Sequence, residues 1–173
     1  KNIANRIRER IVQIGLTSDY KVVHFGGALS IVEIITYAYT CFLRLNPQDR
    51  NNINRDRFVL SKGHACLAQY AALIELGFVK EDEIAFEKNG SSFAGHPVIN
   101  REKFIDFSTG SLGNGLAYAI GSAISVKERK VCCIIGDGEL AEGSIWESLL
   151  SSSKYKLDNL VIIIDRNGLQ ITG

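Results

Sequence analysis

Asp137 and Asn167 lie thirty residues apart, each within three residues of the end of a short apolar run, and no other spacing in this chain carries as much chemistry. Val131-Cys132-Cys133-Ile134-Ile135 and Leu160-Val161-Ile162-Ile163-Ile164 read as buried parallel strands, with Ala141 to Lys154 as the crossover helix between them. A right-handed βαβ unit delivers both carboxyl ends to one edge of the sheet, where open α/β sheets bind ligands. Asp137 and Asn167 then offer two hard oxygens side by side, with the Gly138 N–H exposed nearby. Mg²⁺ is commonly held by a few protein oxygens together with ligand phosphates and water. The spacing predicts a magnesium–diphosphate clamp.

Two other readings compete. Gly136-Asp137-Gly138 and Asn167-Gly168 are each also what a plain tight turn looks like, because Asp, Asn and Gly favour turns for backbone reasons. Gly136-x-Gly138-x-x-Ala141 also fits a dinucleotide fingerprint. Against that, Asp137 puts a carboxylate where a pyrophosphate must approach. The ribose-binding acid expected about 20 residues on has its nearest match in Asp165, which arrives late. The metal–diphosphate reading is the stronger one.

Only three histidines occur, and each lies in a glycine-bearing loop: His24-Phe25-Gly26-Gly27, Gly63-His64-Ala65 and Gly95-His96-Pro97. Singly, each is an ordinary structural or surface residue. As a set, on loops before helices, at least two of them are expected to face the diphosphate site. There imidazoles can donate to a developing oxyanion, exchange protons near neutral pH, or hydrogen-bond a polyol.

The elements that must carry these groups are readable from the patterning. Ile3, Ile7, Ile11 and Ile14 give an amphipathic first helix, followed by a glycine-rich loop from Thr17 to Gly27. Ser30-Ile31-Val32-Glu33 has the form of a capping box, predicting a helix from about Ile31 to Leu45. Arg57-Phe58-Val59-Leu60 reads as a strand leading into Ser61-Lys62-Gly63-His64, with a helix from there to near Gly77. Lys80 to Lys88 is expected as a charged surface helix, Phe104 to Ser108 as a weak strand, and Leu116 to Lys127 as a helix bearing small residues. The expected fold is α/β, a parallel sheet with helices on both faces.

With 173 residues, 46% of them hydrophobic, the chain suits one α/β domain with a full core. A net charge of +1 gives no electrostatic case for nucleic acid or an acidic membrane surface. No apolar run approaches the roughly 18 residues of a membrane span. Cys41, Cys66, Cys132 and Cys133 lack metal-ligand spacing and read as reduced thiols, which suits the cytoplasm. The chain starts at Lys1 without Met and stops just after the second strand's loop. The expectation is therefore a fragment, or the ordered part of a longer polypeptide, incomplete at its C-terminus.

The motifs resemble those of a known family. Gly-Asp-Gly followed by Asn is similar to the thiamine-diphosphate motif, and its flanks resemble the transketolases. Asn54-Arg55-Asp56-Arg57-Phe58-Val59-Leu60-Ser61-Lys62-Gly63-His64-Ala65 is close to the family's NRDRFVLSKGHA block, and Ser108-Thr109-Gly110-Ser111-Leu112-Gly113-Asn114-Gly115 to its TTGSLGQG loop. Gly136 to Gly143, Tyr155 to Leu160 and Asn167 to Ile171 most resemble the N-terminal subunit of split transketolases. The resemblance covers nearly the whole chain, in family order.

It implies a thiamine-diphosphate-binding (PP) domain over residues 1–173. Asp137, Asn167 and the Leu169 carbonyl would hold Mg²⁺, and the Gly138 N–H a diphosphate oxygen. His64 would reach the diphosphate and the reacting centre, while His24 and His96 would contact the ketose. Gly110 and Leu112 would meet the aminopyrimidine, and Glu142 would lie at a subunit interface beside the cofactor. One departure stands out: the family's HPGG is His24-Phe25-Gly26-Gly27 here. Losing that proline could loosen the loop carrying His24, or Phe25 could reshape the donor pocket.

The implied activity is transfer of a two-carbon ketol unit from a ketose, or ketose phosphate, to an aldose. It would need a second subunit carrying the pyrimidine-binding (Pyr) and C-terminal domains, expected as a dimer of heterodimers. Alternatives are another thiamine-diphosphate synthase or decarboxylase of a specialised sugar pathway, a non-catalytic partner-binding subunit, and a nucleotide-binding oxidoreductase.

Overall fold

The computed structural model describes residues 2–19 and 23–170. Part of the loop expected from Thr17 to Gly27, and Ile171 of the Asn167 motif, lie outside the described residues.

Among the described residues, six α-helices and three strands follow one another along the chain: α1 Ile3–Gly15, α2 Phe25–Leu29, α3 Val32–Tyr37, β1 Arg57–Leu60, α4 Cys66–Glu75, α5 Asn114–Ser125, β2 Val131–Gly136, α6 Gly143–Lys154 and β3 Leu160–Asp165. The strands form one parallel sheet in the order β1-β2-β3, with Gly136 level with Asp165. That register places Asp137 and Asn167 just past the same sheet edge.

Alternation along the strands sends side chains into two cores. Phe58, Leu60, Cys132 and Ile134 face α1, α3 and α4, whereas Val59, Val131, Cys133 and Ile135 face α5 and α6. Helices therefore cover both faces, as the unbroken apolar strands require. The first helix buries Ile7 and Ile11 completely, and the Asn2 side chain caps it by accepting the Ala4 N–H.

The block at the amino end of β1 is scaffolding. Arg55 forms a bidentate pair with Asp106 at 3.0 and 2.7 Å, both side chains buried. Asp56 accepts from the Arg44 backbone and guanidinium and from the Lys130 N–H. Burial alone would raise its carboxyl; those donors outweigh burial and hold it below the ordinary range.

Several expectations need correction. The helix predicted from Ile31 to Leu45 ends at Tyr37 and widens into a π-helical turn over Ala38–Phe42, where the Leu43 N–H reaches back to the Ala38 carbonyl. Ser30 does not cap it, because its hydroxyl is bonded to Asp165 at 2.7 Å. Lys80 to Lys88 makes only one 3₁₀ turn, Glu81–Glu83; Phe86 turns into the core and Glu87 adopts φ 55°, which no helix continues through. Phe104 to Ser108 adds no strand. Ile105 makes an isolated bridge to Asn100, and Asp106 turns to Arg55. The crossover helix starts at Gly143, so Glu142 is its N-cap and lies outside its first turn.

Candidate functional site

The loops leaving β1, β2 and β3 meet at the carboxyl edge of the sheet and enclose a cavity of about 540 Å³. Asp137 and Gly138 form its floor at the end of β2, and Asn167 and Leu169 its wall beyond β3. The opposite wall is His24 with the turn into α2, beside His64 from the loop after β1; Leu112 closes a further side. Seven of the ten candidate residues thus share one space.

The two halves of the expected clamp touch. One Asp137 oxygen accepts the Gly168 N–H at 2.8 Å and the other accepts its neighbour Gly138 N–H at 3.1 Å. Asn167 Oδ1 accepts the Leu169 N–H at 2.8 Å, which folds this loop back over Asp137. A carboxylate, an amide oxygen and the Leu169 carbonyl make an all-oxygen donor set suited to a hard cation. No cluster of three or more His, Cys, Asp or Glu side chains that could hold a metal occurs among the described residues. A cation here would draw its remaining ligands from phosphate oxygens and water, as Mg²⁺ does, so the residues fit Mg²⁺ with a diphosphate.

The histidines run outward from the cavity as a chain. His24 stands 5.7 Å from His64 and 6.3 Å from His96, ring centre to ring centre. His96 is at the exposed rim and its ring lies over Gly110, so these two candidates adjoin the cavity without lining it. Burial pushes the His64 imidazole down to about 4, with the Lys62 ammonium next in effect and then the other two histidines. Burial and His24 lower His96 as well. A neutral His64 can donate one hydrogen bond and accept another, which suits a group meeting both phosphate and a reacting carbonyl.

Glu142 does not line the cavity. Its side chain is exposed and packs over Gly113, where a Cβ on the glycine would come within 3.0 Å.

Two supports escaped the sequence reading. Glu139, 1% exposed, accepts from Ser61 Oγ at 2.6 Å, Gly113 N–H at 2.9 Å and Gly136 N–H at 2.8 Å. One carboxylate therefore joins the loop of His64, the loop of Leu112 and the strand end before Asp137. Lys62, fully buried, runs beneath Gly136 to pair with Asp165, which also holds Ser30. Asp165, the acid a dinucleotide would need at its ribose, is thereby committed. A charged residue closely following each apolar strand was the available signal for both. Close backbone approach completes the frame: a Cβ on Gly63 would lie 2.8 Å from Gly110 N, and one on Gly115 2.5 Å from Ser61 Cα.

A family model described as the thiamine diphosphate binding domain of transketolase matches residues 1–173. An apulose-4-phosphate transketolase subunit from Actinobacillus succinogenes is 42% identical over 98% of this chain and 63% of its own length. The subunit of the same name from Phocaeicola vulgatus is 42% identical over 96% of this chain and 60% of its own length. Transketolase from Homo sapiens is 43% identical over 98% of this chain and 28% of its own length. The chain thus spans less than two thirds of these relatives. Transketolase from Leishmania mexicana superposes with a TM-score of 0.90 at 31% identity, covering 98% of this chain and 27% of that one. Transketolase from Campylobacter jejuni superposes with a TM-score of 0.82 at 30% identity, covering 99% and 28%. With sequence, fold and loop order agreeing over its length, the chain belongs to the transketolase thiamine diphosphate-binding domain family.

Proposed function

We propose that residues 1–173 are the diphosphate-binding domain of a split transketolase-type transferase, which moves a two-carbon ketol unit from a ketose phosphate to an aldose. The observation that carries this reading is the convergence of three histidines with the oxygens of Asp137, Asn167 and Leu169 around one cavity.

In this reading Asp137, Asn167 and the Leu169 carbonyl hold Mg²⁺, and the Gly138 N–H turns from Asp137 to a diphosphate oxygen. Bound thiamine diphosphate supplies the nucleophilic carbon and accepts the electron pair released when the donor's C–C bond breaks. His64, kept neutral by its burial, hydrogen-bonds the diphosphate end and faces the reacting centre. His24 and His96, nearer the mouth, orient the ketose through its carbonyl and hydroxyls. Gly110 and Leu112 abut the aminopyrimidine.

Glu142 belongs to a subunit interface. Tyr118, Ile124, Trp146 and Leu150 leave apolar side chains exposed on α5 and α6, the helices flanking it. The partner supplies the Pyr and C-terminal domains, in a dimer of heterodimers. The buried free thiols Cys66, Cys132 and Cys133 favour the cytoplasm. No helix among the described residues is long and apolar enough to cross a membrane.

The test is to assay ketol transfer from a keto-sugar phosphate with the chain alone, then with the partner chain titrated in, Mg²⁺ and thiamine diphosphate being saturating. Turnover is expected only with the partner. Full turnover by the lone chain, or none in the complex, contradicts the proposal.

A further inference from the structure

By the resemblance Phe25 stands where the family carries proline, and the fold shows how the turn there is held. Val23, His24 and Phe25 make an inverse γ-turn. The Phe25 N–H donates to the Val23 carbonyl at 3.0 Å, and His24 has φ −84° and ψ 69°, close to the −75° and about +65° of that turn. Proline has no N–H with which to close it. Proline also drives the preceding residue toward a ψ of about 120–160°, far from the observed value.

The side chain of Phe25 makes the second attachment. A methyl built on Gly15, the last residue of α1, would lie 2.5 Å from the ring carbons Cε1 and Cζ and 3.3 Å from Val23 Cγ1. The missing side chain at position 15 is the notch that receives the ring. Because Ile7, Ile11 and Ile14 bury α1 in the core, the turn carrying His24 is fastened to the fixed body of the domain.

We infer that Phe25 is a positioning residue for His24, its N–H setting the turn and its ring, seated against Gly15, fastening it. Phe25 and Gly15 act as a pair that holds His24 in a turn proline cannot close. The kinetic consequence rests on the proposed role of His24 toward the ketose; the placement of its ring does not.

Three histidines give three sets of ring resonances, so placement is measurable by NMR in the full chain without turnover. Phe25→Pro, Gly15→Ala, Phe25→Leu and the double variant Gly15→Ala/Phe25→Leu are compared with wild type. In Phe25→Pro and in Gly15→Ala, the Overhauser contacts from the His24 ring to His64 and His96 should weaken at least twofold. The ketose KM of the reconstituted complex should rise about fivefold or more. Leucine lacks the atoms at Cε1 and Cζ, so in the double variant both readouts should return to within twofold of Phe25→Leu. Wild-type ring contacts in Phe25→Pro overturn the inference, and so does a double variant more than twofold worse than Phe25→Leu in either readout. If Phe25→Pro fails to fold, Gly15→Ala and the double variant decide the matter. If the wild-type complex shows no ketol transfer, the proposed function fails while the ring contacts still decide this inference.

Discussion

Glu139→Gln changes one atom of a side chain given no ligand in the proposed site, yet it should be costly. In the native arrangement Oε1 accepts from Ser61 Oγ and Gly113 N–H, and Oε2 from Gly136 N–H. A glutamine of the same shape has a single acceptor oxygen. Turned to keep Ser61 and Gly113, it sets its NH₂ against the Gly136 N–H; turned the other way, it sets it against the Gly113 N–H while the Ser61 hydroxyl rotates to accept. Either way one buried backbone donor is orphaned, at about 1–3 kcal/mol, and the surviving bonds fall from charge-assisted to neutral, at roughly a further 1 kcal/mol. An amide is cheaper than a carboxylate to take out of water, which offsets part of this. The net expectation is a loss of about 2–3 kcal/mol, or about 5–10 °C in Tm for a domain of this size. Urea denaturation and thermal melting of the purified variant measure it, with the shift in midpoint converted through an unchanged slope. A Tm within about 1 °C of wild type would refute the claim that this carboxylate ties the three loops together.

Other outcomes follow from the same geometry. Burial holds the His64 pKa near about 4 in the folded chain, against about 6.5 when unfolded. The unfolded chain therefore binds this proton first on acidification. The His64 contribution is fully present above about pH 6.5, is lost as pH falls toward about 4, and is constant below that. Thermal melts across this window should show a shallower slope for His64→Asn; identical slopes would contradict it. His96→Ala should leave cofactor affinity within about twofold and raise the ketose KM, since its ring stands outside the cavity; unchanged KM and kcat would make it a plain loop residue. Lys62→Met leaves Asp165 buried without its cation and should destabilise by roughly 3 kcal/mol, read as a fall in the urea midpoint; an unchanged midpoint would show the pair to be dispensable.

Much of the fold was legible because its strands are short unbroken apolar runs and α1 repeats isoleucine at helical spacing. Both patterns are local and both were followed. The βαβ spacing also placed Asp137 and Asn167 correctly on one edge, since register follows once two parallel strands are level. What escaped depended on distant partners. Ser30 looks like a helix cap until Asp165, 135 residues later, takes its hydroxyl. Lys80 to Lys88 has helical composition, but burial of Phe86 overrides it. Glu139 and Lys62 read as ordinary members of motifs, and only the folded arrangement shows that each joins elements far apart in the chain. Phe25 was visible as a departure from the family, but its partner Gly15 was not.

In the proposed site Asp137 and Asn167 clamp a magnesium diphosphate. Calorimetric titration of thiamine diphosphate into wild type and Asp137→Ala, each with Mg²⁺ and with the metal chelated, measures this clamp. Binding to wild type should depend on Mg²⁺, and Asp137→Ala should lose at least about a tenfold in affinity, because the one charged oxygen donor among the three protein ligands is gone. Equal affinity in the two proteins, or wild-type binding indifferent to Mg²⁺, would contradict it.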